Sequence, residues 1–251
     1  MTLWATAFLV FIRVGALLMN LPIFSAQGVP RYVPLLAALA LTVLIAPGQP
    51  VLANGESLAV LALALGSEVI LGALLGMIVS AVFSAVALGT EVASQQMGLS
   101  MASMFDPLTN SNAGLVGTIA SMLAGLVFIS AGLHLRFVEL VARSFEVIPV
   151  GLGGLPTEGA PAVTLAIGQA ITLGVQLAGP VLVLVWAINV FVGILARLAP
   201  SMNVFFSVGM SAGSVVGLLI FSVSLPYMLA AHEEALRDTV RATWRMLLAV
   251  S

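Results

Sequence analysis

Long apolar runs separated by short polar connections dominate the chain. A membrane-spanning helix needs about 20 mostly apolar residues. By that measure we distinguish six apolar segments: Leu3–Leu21, Val33–Ala46, Leu58–Leu88, Ala113–Leu133, Ala162–Ala196 and Val204–Ala231. The second is too short to span alone, so it is re-entrant or packs against a neighbour. The third and fifth exceed one span and must tilt, bend or continue beyond the bilayer. The pattern predicts an all-α integral membrane protein.

The last twenty residues change character and hold six charges. Charged side chains recur every four positions, at Glu233, Arg237, Arg241 and Arg245. An apolar stripe lies beside them, at Leu236, Val240, Trp244 and Leu248. This spacing predicts an amphipathic helix, so we divide the chain into a helical membrane domain (1–231) and a helical tail (232–251). The tail lies on the membrane interface or docks a partner, and the interfacial placement is favoured.

Composition excludes several kinds of chemistry. The chain is 61% hydrophobic and 7% charged, whereas soluble domains carry about 25% charged residues. Lys and Cys are absent, which excludes a P-loop, a Schiff-base lysine, disulfides and thiolate nucleophiles. His134 and His232 have no zinc-like spacing. We therefore expect no metal, no cofactor, no nucleic-acid partner and no enzymatic activity.

The arginines suggest an orientation. With six spans and an internal N-terminus, the inner loops hold Arg136 and Arg143, and the tail, on the same side, holds Arg237, Arg241 and Arg245. The outer loops then receive two, Arg31 and Arg197. The positive-inside rule favours cytoplasmic placement of both ends.

Two ionisable residues, Arg13 and Glu68, lie within apolar runs, where charges are costly and indicate function. Glu68 precedes Gly72 by one helical turn, so its carboxylate faces protein. It is either a proton-relay group, as in a proton-coupled small-molecule transporter, or one half of a structural ion pair. Arg13 is a candidate partner, and the ion pair is favoured.

Small residues recur at helical spacing, which allows close helix packing in lipid. The glycines concerned are Gly72 and Gly76, Gly117 and Gly125, and Gly209, Gly213 and Gly217. The sequence leaves open whether these stripes meet partner subunits or pack within one bundle.

The segment 95–112 reads QQMGLSMASMFDPLTNSN and is rich in methionine. Methionine suits surfaces that must repack, so this loop is either a deformable gasket in a pore or an ordinary connection. In the second case Asp106 caps the following helix.

Five blocks in order resemble the FliR family of the flagellar type III export gate, whose injectisome counterpart is SctT. They are Phe11-Ile12-Arg13 with Pro22 and Gly28-Val29-Pro30; Glu68 with Gly72 and Gly76; Gln96-Met97-Gly98-Leu99-Ser100 leading to Asp106-Pro107; Gly132-Leu133-His134 through Pro149-Val150-Gly151; and Arg197-Leu198-Ala199-Pro200-Ser201-Met202-Asn203-Val204-Phe205. Departures exist, since Ser201 stands where the family commonly has Gln.

The resemblance implies a single-copy subunit of a pore built with several FliP-like and FliQ-like subunits, whose helical hairpins assemble into a helical complex. FlhB-like and FlhA-like components complete the gate, which sits in the bacterial inner membrane within the flagellar basal body. Unfolded flagellar proteins are the cargo. The resemblance also implies that the loop 98–106 plugs the channel, with Met101, Met104 and Phe105 as sealing residues.

Overall fold

A computed structural model describes residues 2–25, 29–30, 32–50, 58–99, 115–151, 159–198 and 210–250. Its regular elements are helices, and none of these residues forms a strand. The α-helices are α1 (Thr2–Met19), α2 (Pro22–Ser25), α3 (Tyr32–Ile45), α4 (Leu58–Gln96), α5 (Leu115–Ser130), α6 (Leu133–Val147), α7 (Gly159–Leu198) and α8 (Met210–Val250). A 3₁₀ turn, Ala46–Gly48, follows α3.

The predicted all-α membrane class is confirmed. Helices α4, α7 and α8 are long and apolar enough to cross a bilayer, and the described residues provide a fourth span if α5 and α6 count together. Helices α1 and α3 are shorter apolar helices. With 39 residues, α4 has a contour length of roughly 60 Å at 1.5 Å per residue. That is about twice the hydrocarbon thickness of a bilayer.

Residues 133–147 form a helix where the sequence predicted a loop. Gly132 adopts a left-handed conformation, with φ 68°, and separates α5 from α6. Leu133, Phe137 and Leu140 are buried on one face of α6 while Arg136 is exposed. Apolar residues at this spacing are typical of an amphipathic helix. The two arginines assigned to an inner loop, Arg136 and Arg143, therefore lie on a helix.

One compact unit consists of Met1–Val82, Phe128–Gly168 and Ala235–Ser251. Its core combines side chains of α1, α4, α6 and the last part of α8, and includes Leu9, Val14, Leu17, Leu71, Leu75, Phe137, Phe145, Leu236 and Leu247. The tail is helical, but its buried stripe differs from the predicted one. Leu247 is buried and Leu248 is exposed, because the helical period of 3.6 residues drifts from a strict spacing of four.

The other compact unit consists of Phe83–Val127 and Gln169–Glu234. Its core is formed by the remaining parts of α4, α5, α7 and α8, with Val86, Ala93, Met97, Val116, Ala120, Ala124, Leu177, Val181, Val185, Phe221 and Met228. Within it, Gly89 approaches the backbone of Gly174 so closely that a Cβ would lie 2.6 Å from the Gly174 carbonyl oxygen. Only glycine permits this approach between α4 and α7.

Helix α8 runs continuously from Met210 to Val250 and passes residue 232, where the sequence suggests a boundary. The division into 1–231 and 232–251 stays a prediction.

The apolar helices differ in how much of their surface the chain itself covers. In the most apolar stretch of α4, 61% is buried, against 17% in α7 and 17% in α8. Large apolar side chains such as Val183, Trp186 and Phe191 are exposed on α7. Surfaces of this kind face lipid or other subunits.

Candidate functional site

A buried ion pair joins Arg13 of α1 to Glu68 of α4. The Arg13 Nε donates to Glu68 Oε2, and Nη2 donates to Oε1 at 3.0 Å, so the pair is bidentate. The remaining guanidinium nitrogen, Nη1, donates to the carbonyl oxygens of Ser144 at 3.2 Å and Ile148 at 2.9 Å. Glu68 Oε1 also accepts the backbone N–H of Gly151 at 3.0 Å. Arg13 and Glu68 are 1% and 0% exposed.

The C-terminal end of α6 completes the charge environment. Helix C-termini carry unsatisfied carbonyl groups and a partial negative charge, and Arg13 binds two carbonyls there. The Arg13 Cζ also lies 4.2 Å from the centre of the Phe145 ring, a cation–π geometry. The guanidinium thus receives partners on several sides. This compensates the cost of removing it from water.

This arrangement connects three elements and supports the structural interpretation of Glu68. Both carboxylate oxygens are engaged, and the described residues contain no group of three or more His, Cys, Asp or Glu that could hold a metal ion. The sequence suggested Arg13 as a partner of Glu68 but did not assign roles to Phe145, Ile148 or Gly151. The apolar spacing within 133–147 is the signal that could have identified this helix, which carries Phe145 and ends next to Ile148.

The glycines of α4 bring the two charged residues together. A Cβ on Gly72 would overlap the carbonyl oxygen of Arg13, and one on Gly76 would lie 2.8 Å from the Leu17 carbonyl oxygen. Gly72 and Gly76 are therefore used within the chain, as the surface on which α1 crosses α4. Of the two uses that the sequence left open, Gly72 and Gly76 therefore serve packing within the chain.

The other small-residue positions differ from one another. Gly117 and Gly213 are buried, and Gly217 packs against the side chain of Met97. Gly125 has open space around it, because nothing lies within 4 Å of a Cβ placed there. Gly209 lies outside the described residues.

The start of the predicted plug loop is firmly anchored. Gly98 has φ 74°, its N–H donates to the Gln95 carbonyl at 3.0 Å, and the Leu99 N–H donates to the Ser94 carbonyl at 3.0 Å. These two bonds form a Schellman motif, in which glycine is the preferred left-handed residue. The Ser214 hydroxyl donates to the Met97 carbonyl at 2.6 Å. Helix α4 thus ends at a fixed place in its unit, and the loop leaves from there.

Among the other predicted site residues, Arg197 lies within the described part of the chain. Arg197 is exposed in the last turn of α7, where a cation complements the helix dipole. The positions that lie outside the described residues are Ser100, Met101, Met104, Phe105, Asp106, Pro107, Pro200 and Asn203.

Long apolar helices with uncovered faces, joined internally by a buried ion pair, define a multi-helix membrane protein. The sequence model of the bacterial export proteins, family 1, matches residues 4–239, and the chain belongs to this family. It is 33% identical to the flagellar biosynthetic protein FliR of Escherichia coli K12, over 86% of this chain and 82% of the relative. It is 29% identical to FliR of Caulobacter vibrioides, over 90% and 92%. It is 27% identical to FliR of Bacillus subtilis, over 96% and 94%.

These matches confirm the expected FliR relationship and identify a membrane protein of the flagellar export apparatus.

Proposed function

We propose that the chain is a pore subunit of the flagellar export gate in the bacterial inner membrane. It assembles with FliP-like and FliQ-like subunits, and FlhB-like and FlhA-like components complete the gate. Unfolded flagellar proteins pass through the pore, and the loop 98–106 plugs it at rest. The chain itself performs no enzymatic step.

The observation that carries this proposal is the uncovered apolar surface of α7 and α8. Only 17% of the most apolar stretch of each helix is buried by the chain itself. In α7 the residues from Gly159 to Ala196 carry no charge and extend roughly 57 Å along the axis, which exceeds the thickness that lipid could cover. Apolar surface beyond the bilayer needs protein partners. Neighbouring helical subunits would supply that cover.

The assembly can be tested by site-specific photo-crosslinking. A benzophenone side chain at Trp186, on the uncovered face of α7, should crosslink to the FliP-like or FliQ-like subunit when the three are produced together. The same group at Arg136, an exposed position of α6, serves as the matched control and should give little product. Crosslinks only to lipid, or a lone monomer with full export activity, would contradict the proposal.

The plug role rests on the family resemblance and on the anchored start of the loop. The Schellman motif at Gly98 and the Ser214 hydrogen bond fix the point from which the loop departs. Because the start of the loop is held in place, its bulky and adaptable methionines can close the pore at the same position after cargo has passed.

Conductance measurements test the plug. Met101→Gly with Met104→Gly should make the assembled complex leak ions, because two bulky apolar side chains are removed. Ala102→Gly with Ser103→Gly in the same loop adds the same backbone freedom without removing bulk, and it should leave the complex closed. Equal conductance of the two variants would show that the methionines do not seal the pore.

The alternative, a proton-coupled transporter using Glu68, lacks a supporting observation. A relay carboxylate needs a path for protons, whereas both oxygens of Glu68 are bonded and the residue is 0% exposed. Uptake by the reconstituted chain alone, abolished by Glu68→Gln, would favour the transporter over the export pore.

A further inference from the structure

Helix α8 contacts the start of the plug loop at two positions one turn apart. The Ser214 hydroxyl donates to the Met97 carbonyl oxygen at 2.6 Å, although the two residues are 117 positions apart in the chain. One turn further along α8, a Cβ on Gly217 would overlap the Met97 Cγ and lie 2.8 Å from its sulfur. Both the backbone and the side chain of Met97 are therefore held by α8, and both contacts lie within one compact unit.

Met97 directly follows Gln96, the last residue of α4. Its side chain is 1% exposed and belongs to the core of the unit. Gly98 follows in a left-handed conformation, and Leu99 packs against the same core. Carbonyl groups at a helix C-terminus have no partner within the helix, and an unpaired buried acceptor is costly. The Ser214 hydroxyl supplies the partner that the Met97 carbonyl needs.

The same turns of α8 have an outer face that the chain leaves uncovered. Val215 is 59% exposed and Leu219 is 62% exposed, whereas Ser214 and Gly217 contact Met97. In the proposed assembly, neighbouring subunits would cover this apolar surface. Helix α8 would then lie between those subunits and the start of the loop, and its position would set the position of Met97.

We propose that Ser214 and Gly217 form a latch that fixes the resting position of the plug loop through Met97. The hydroxyl holds the Met97 backbone, and glycine leaves the space that the Met97 side chain fills. Movement of α8 away from the end of α4 breaks both contacts together and releases the first residues of the loop. Ser214 and Gly217 are thus positioning residues for the plug, and this inference rests on the proposed plug function.

Hydrogen exchange in the isolated chain tests the contact itself. Ser214→Ala should accelerate exchange of the Leu99 amide about tenfold, because loss of a hydrogen bond to a buried carbonyl weakens the turn that protects this amide. Ser214→Thr keeps the hydroxyl and should restore slow exchange. Ser222→Ala is the matched control, since the Ser222 hydroxyl donates within α8, to the Leu218 carbonyl. Equal exchange in the two alanine variants would overturn the latch.

The glycine provides an independent test. Gly217→Ala should displace the Met97 side chain and accelerate the same exchange. Gly213→Ala, one turn earlier, should not, because its Cβ would lie at an ordinary distance of 3.9 Å from Val185 Cγ1. In a Met97→Ala background the space beside Gly217 is vacated, so Gly217→Ala should have little effect there. An equal effect in both backgrounds would show that Gly217 does not act through Met97, and it would overturn the latch.

Conductance of the assembled complex tests whether the latch positions the plug. Ser214→Ala and Gly217→Ala should raise the conductance, whereas Ser214→Thr and Gly213→Ala should leave the complex closed. Met101→Gly with Met104→Gly, measured in parallel, reports on the plug itself. If this methionine variant conducts while Ser214→Ala and Gly217→Ala stay closed, the plug function stands and the latch is wrong. If the methionine variant stays closed, the plug function is wrong, and the latch is overturned with it.

Discussion

Arg13 and Glu68, 55 positions apart, form a bidentate ion pair that is almost completely removed from solvent. Each charge is also bonded to the end of α6 or to the turn after it, through the carbonyls of Ser144 and Ile148 and the N–H of Gly151. A buried pair of this kind contributes little net stability compared with apolar residues of equal volume. Loss of one partner is costly, because the other charge remains buried without compensation.

Glu68→Gln should therefore destabilise the chain by about 3–5 kcal/mol, measured as detergent-solubilised unfolding followed by circular dichroism. Glu139→Gln is the control, since its pairs with Arg136 and Arg143 are exposed and worth less than about 1 kcal/mol. The double variant Arg13→Met/Glu68→Leu should lose much less than the sum of its single changes. Strict additivity would show that the two residues are not energetically coupled.

The crossing of α1 over α4 gives a second prediction, at two glycines of the same helix. Gly72→Ala should destabilise the chain by more than about 1 kcal/mol, because the new Cβ overlaps a backbone oxygen that cannot move aside. Gly66→Ala adds the same methyl group into open space. It should be neutral or stabilising by up to about 1 kcal/mol, since alanine favours helices. Thermal unfolding of the two variants compares them directly, and similar losses would contradict the close crossing.

The apolar pattern predicted the helices well because lipid leaves few alternatives: backbone groups must be satisfied within the segment. It placed Glu68 beside Gly72 on a protein-facing side, and in the structure Glu68 is buried on the helix that α1 crosses at Gly72. It could not place Ser144 and Ile148 beside Arg13, because that contact joins positions more than 130 residues apart.

Helix α6 was missed for a different reason. Its four charges, Arg136, Glu139, Arg143 and Glu146, lower its mean hydropathy, so a search for long apolar runs passes over it. The buried residues at Leu133, Phe137 and Leu140 carry a helical period that a search for amphipathic segments would detect. Length and hydropathy identify membrane-spanning helices, whereas the Arg13–Glu68 site depends on α6, a helix with only one apolar face.

The end of α4 gives a third prediction. Gly98 has a positive φ that costs other residues about 1–2 kcal/mol, so Gly98→Ala should destabilise this unit by about that amount. Gly98→Asn should lose less, because asparagine tolerates the left-handed conformation. Unfolding midpoints test this ranking: the unchanged chain should be the most stable, Gly98→Asn intermediate and Gly98→Ala the least stable. An alanine variant as stable as the unchanged chain would show that the Schellman motif is absent.

Two adjacent residues of α7 separate folding from assembly. Val185 is buried in its unit, whereas Trp186 is 70% exposed. Val185→Asn should destabilise the isolated chain by about 2 kcal/mol or more, since an amide replaces buried apolar surface. Trp186→Asn should change the stability of the isolated chain by no more than about 0.5 kcal/mol. It should nevertheless reduce co-purification with a FliP-like or FliQ-like subunit, because aromatic side chains dominate subunit interfaces. For Trp186→Asn we expect unchanged thermal unfolding but reduced recovery of the partner from detergent. For Val185→Asn we expect both the unfolding temperature and the recovery of the partner to fall. If Trp186→Asn leaves the yield of partner unchanged, this face of α7 does not form the proposed subunit interface.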